Sequence, residues 1–67
     1  MANLPVIIRA TQSSYRAITR MGQLSRQIRD AREPSEVTRL SLAFKRAERR
    51  FERAQATLHA NPLPGDR

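Results

Sequence analysis

The chain has 67 residues, a formal net charge of +7, and no cysteine or tryptophan. That length allows one domain and only a thin core, since a chain near 60 residues buries only about 60% of the surface its unfolded form exposes. Disulfides and thiolate metal sites are excluded, and with His59 the single histidine no zinc constellation is available, so self-association or a stable partner is the expected source of extra stability. The basic charge is carried almost wholly by arginine, with Lys45 the only lysine. A planar guanidinium suits carboxylate and phosphate alike, which favours acidic partners, although arginine codons in a GC-rich gene would write the same surface.

The first half predicts a helix from about residue 5 to 32. Ile7, Ser14, Met21 and Ile28 recur at one heptad position, and Ala10, Ala17, Leu24 and Ala31 lie three residues further on. Ser14 interrupts this seam, and Gly22 sits mid-helix at a cost of about 1 kcal/mol against alanine. Pro5 is tolerated in a first helical turn, while Thr11, Ser13 and Ser14 offer a later start that would leave residues 1–10 frayed. No acidic residue precedes Asp30, while five arginines do, which is also the composition of a mitochondrial transit peptide. The matching heptad in the second half favours an ordinary packed helix instead.

Pro34 marks the break, because it disfavours helix at Glu33 and suits the first position of a new helix. From there a second helix is predicted over about 35–60, followed by a polar tail over 61–67 containing Pro62, Pro64 and Gly65. Its seam is unbroken: Val37, Leu40, Phe44, Ala47, Phe51, Ala54 and Leu58, in steps of three and four. Folded as an antiparallel hairpin, the two seams meet in layers whose residue numbers sum to 64 or 65, from Ile28 with Val37 to Ile7 with Leu58. Small layers (Ala17 with Ala47, Ala10 with Ala54) alternate with larger ones. Core and self-association are therefore assigned to Met21, Leu24, Ile28, Leu40, Phe44, Ala47, Phe51 and Leu58, with Phe44 and Phe51 among the most buried. Two helices alone cannot surround those rings, so two hairpins are expected to pair face to face as a homodimeric four-helix bundle.

In architecture this alternating small-and-large hairpin resembles the plasmid repressor-of-primer RNA-binding proteins, which dimerise into a four-helix bundle. Its length is similar to that of the hairpin co-chaperones of type III secretion needle subunits. The resemblance implies pairing of hairpins and assigns no functional residue.

Catalysis has little support. His59 has no nucleophile placed by any motif, and it lies near a helix end where a cation offsets the macrodipole. Glu48 and Glu52 sit at helix-neighbour spacing from Lys45 and Arg49, as solvated ion pairs do. No Gly-rich phosphate loop is present, and no cofactor or metal is expected. Two surface signals remain. Ile8, Tyr15 and Ile18, rimmed by Arg9 and Arg16, form a candidate docking patch, with Leu42 opposite the seam of the second helix. Arg39, Arg46 and Arg53 recur every seven residues on the face away from the seam, with Arg49 and Arg50 beside them, and this ridge is the candidate for phosphate. A charge run is also what an ordinary solvated face looks like.

The leading expectation is a non-enzymatic, cytoplasmic interaction module (an adaptor, inhibitor or co-chaperone) docking on a larger protein with an acidic or apolar groove. The runner-up is a nucleic-acid-binding regulator using the arginine ridge. A basic amphipathic helix at an anionic membrane surface is third, since no stretch approaches the ~18 apolar residues of a membrane span.

Overall fold

The computed structural model describes residues 3–61 and consists of two antiparallel helices, α1 (Leu4–Asp30) and α2 (Pro34–Ala60). The fold is an all-α helical hairpin. The tail expected over 61–67 lies outside the described residues except for Asn61.

Each helix starts where its sequence supplies a start. Asn3 is the N-cap of α1: its Oδ1 accepts the Val6 N–H at 3.3 Å, and its carbonyl accepts the Ile7 N–H at 2.9 Å. Pro5 sits in the first turn, where its missing N–H costs nothing. The alternative start near Thr11 does not occur, since Thr11 Oγ1 already donates to the Ile7 carbonyl at 2.8 Å within an established helix. Pro34 begins α2 as expected.

Helix α1 ends at Asp30, two residues before the expected Arg32. Ala31 turns out of the helix at φ −69°, ψ 138°, and Glu33 is held extended at φ −93°, ψ 131° ahead of Pro34. The reason is distance. Packed helix axes lie about 8–10 Å apart, and three extended residues at roughly 3.3 Å each cover that gap where one would not.

The seams meet as the heptads require. Leu24, fully shielded at 0% exposure, packs with Leu40 and Ala47, and Met21, Ile28, Ala31, Ala43 and Phe44 close around them. Ile7, Ala10, Ala17 and Ala54 complete the buried set. Ser14 is buried too, and its hydroxyl accepts a 3.1 Å hydrogen bond from Gln55 Nε2 on the facing helix. Gln55 lies one turn beyond Phe51, the layer partner of Ser14. A helical side chain leans toward its own N-terminus, which brings the amide back to that layer. The one polar break in the first seam is thus matched by a polar partner.

Phe44 and Phe51 depart from expectation. Both are only half-buried, as are Val37 and Leu58 at the same heptad position, whereas Leu40, Ala47 and Ala54 at the other are buried. Two helices alone leave these rings without neighbours on the side away from the facing helix. Gly22 is exposed on α1, and a Cβ built there would meet nothing within 4 Å.

Candidate functional site

The two open flanks of the hairpin differ in chemistry. In an antiparallel pair, residues displaced from each seam in the same rotational sense emerge on the same face. On one face this brings together Arg9, Arg16 and Arg20 of α1 with Arg46, Arg50 and Arg53 of α2. Their spacings of three, four and seven residues keep each set on one side of its helix. They wall an open groove of about 1110 Å³ whose floor includes Ala10, Ala17, Ala47 and Ala54. Alanine at these layers is what makes a groove: the helices approach closely, and nothing large fills the space above them. Ser13, Gln23 and Thr57 add hydrogen-bonding groups along the walls, and no carboxylate lines the groove among the described residues.

Confining six arginines to one face concentrates positive potential there. The opposite flank carries the half-buried Phe44 and Phe51 together with Met21 and the Ser14–Gln55 bond.

The residues singled out from sequence are redistributed by this geometry. The arginine ridge does not lie on the back of α2. Arg46, Arg50 and Arg53 flank the seam and face the arginines of α1, because a side chain roughly 100° from the seam borders the neighbouring helix instead of pointing away from it. Arg39 is excluded from the groove and lies in a shallow dip with Glu33, Ser35 and Glu36. Arg49, exposed, does not line the groove either.

The docking patch is also divided. Ile8, Tyr15, Ile18 and Leu42 are all exposed, by 56%, 71%, 51% and 56%. Only Tyr15 lines the arginine groove, beside Arg9 and Arg16; Ile8, Ile18 and Leu42 do not. Arg20, Ser13 and Gln23 are additions that the sequence reading missed. The signal was present, since Arg9, Ser13, Arg16, Arg20 and Gln23 follow one another in steps of four, three, four and three, a polar stripe running beside the seam.

Among the described residues no group of three potential metal ligands comes together, and no buried side-chain nitrogen or oxygen lacks a hydrogen-bond partner. No described helix is long and apolar enough to cross a membrane. The chain matches no known family model, and neither a curated protein nor a solved structure is significantly similar to it.

Proposed function

We propose that this protein is a small non-enzymatic interaction module that works with two faces: one pairs with a second copy, and the other receives an extended anionic partner. The observation that carries the reading is the gathering of six arginines along one groove that, among the described residues, no carboxylate lines. Such clustering raises the energy of the folded chain through like-charge repulsion, which a bound anion would relieve.

The second copy is assigned to the opposite flank. Half-buried Phe44 and Phe51 need neighbours on their open sides, and that flank does not carry the arginine walls. A 27-residue helix is about 40 Å long, and the hairpin is 19 Å across, giving a footprint of roughly 800 Å², the size one partner contributes to a standard interface. Pairing there produces a four-helix bundle with an arginine groove on each outer side.

Two neighbours in sequence test the groove. Arg50 lines it and Arg49 does not, yet reversal of either changes net charge equally. Arg50→Glu should weaken binding of heparin, used as a generic polyanion, by about tenfold or more, and Arg49→Glu by far less. Equal losses from both variants would mean that overall charge, not the groove, captures the anion.

A further inference from the structure

We infer that the groove receives an acidic amphipathic α-helix of another protein, with an apolar stripe seated on the alanine floor and a row of carboxylates against each arginine wall. The inference rests on the reading of the groove as an anion-binding face and assigns the chemical class of its partner.

The floor is the first support, independent of charge. Val6, 37% exposed, and half-buried Ala43 continue the line of Ala10, Ala17, Ala47 and Ala54. In the layer register Ala43 is level with Met21, so apolar side chains line the groove over roughly fifteen residues of helix, about 22 Å or four turns. Small residues between two helices let a third approach closely and lay its own apolar stripe there. A helix also satisfies its own backbone. An extended acidic peptide would find no strand edge among the described residues, and would turn backbone N–H and C=O groups onto alanine methyls. A polyanion such as heparin meets the walls but brings no aliphatic stripe to the floor.

The walls are the second support. Arg9, Arg16 and Arg20 are separated by seven and four residues, and Arg46, Arg50 and Arg53 by four and three. A helix lying along the groove presents carboxylates at those intervals on both borders of its stripe, one row to each wall. Such spacing is generic to any helical stripe; two facing rows of one sign across an apolar floor are not. Guanidinium and carboxylate pair through charge-assisted, often bidentate hydrogen bonds. A second copy does not fit, because no helix of this chain carries two rows of carboxylates: α1 has only Asp30, and α2 has Glu36, Glu48 and Glu52.

Three designed peptides of about 16 residues, with leucine and alanine at heptad positions a and d, test the fit. The flanked peptide has glutamate at e and g. The permuted peptide has the same composition with its glutamates moved to b, c and f. The mixed peptide has glutamate at e and lysine at g. By anisotropy of the labelled peptide against the full-length protein, the flanked peptide should bind at least about tenfold more tightly than the permuted one. Its helicity should rise on binding, since a helix this short is marginal alone. Reversing the α2 wall with Arg46→Glu, Arg50→Glu and Arg53→Glu should invert the preference, so that the mixed peptide outbinds the flanked one although the variant's net charge stays positive. All three arginines are exposed, so circular dichroism of the variant should match the parent. Equal binding of flanked and permuted peptides, no inversion in the variant, or heparin binding without the flanked peptide would overturn the helix assignment and leave an anion groove. Oligothymidylate binding more tightly than the flanked peptide at about 0.15 M salt would also overturn it, in favour of a nucleic acid. If neither heparin nor any peptide binds, the groove reading itself fails.

Discussion

Replacing Leu24 and Phe51 by alanine, one at a time, measures which flank of the seam is covered in solution. Leu24 has 0% exposure within a single hairpin, against Leu40 and Ala47, so its truncation removes a full side chain of packing whatever the oligomeric state. Buried leucine-to-alanine changes cost about 2.7–5 kcal/mol. A chain of 67 residues has a total stability of about 3–10 kcal/mol, so Leu24→Ala should remove a large share of it. Phe51 is only half-buried in one hairpin. Its truncation should cost about 2 kcal/mol if the open flank faces water, and about 3–5 kcal/mol per chain if a second copy covers the ring. Urea unfolding followed by far-ultraviolet circular dichroism, at protein concentrations about a hundredfold apart, separates these cases, since a dimer that unfolds on dissociation gains stability with concentration. The expected result is a parent midpoint that rises with concentration and a Phe51→Ala cost close to that of Leu24→Ala. A midpoint independent of concentration, with Phe51→Ala costing less than half of Leu24→Ala, would refute the pairing. A Leu24→Ala cost below about 1 kcal/mol would refute the seam itself.

Gly22 is exposed with free space around a would-be Cβ, so Gly22→Ala should stabilise by about 0.5–1 kcal/mol, raising the melting temperature by several degrees; a decrease would show that α1 is not continuous there. Ser14→Ala removes the acceptor of the Gln55 bond, but the half-exposed amide regains water and alanine is the better helix former, so urea unfolding should change by less than about 1 kcal/mol, and a loss above 2 would assign the bond a larger part in fixing register. Repulsion across the groove predicts that added salt raises the parent's melting temperature, and that Arg50→Glu raises it at low salt; a melting curve indifferent to salt would mean the arginines do not sense one another.

Much of this hairpin is written in one dimension. The three-and-four spacing from Val37 to Leu58 sets a helix with a stripe, the matching stripe from Ile7 to Ala31 sets its partner, and Pro34 sets the place where they divide. These are properties of a single helix and its breaker, so periodicity and backbone sterics suffice to read them. What the sequence did not yield directly depends on both helices at once. Asp30 ends α1 because the chain must cross the gap between two axes, a distance that neither helix contains. Phe44 and Phe51 are half-buried because burial depends on what lies over a side chain, while a heptad position gives only its angle. Arg46, Arg50 and Arg53, read along α2 alone, look like a ridge facing water; antiparallel packing turns them toward Arg9, Arg16 and Arg20 and encloses a groove.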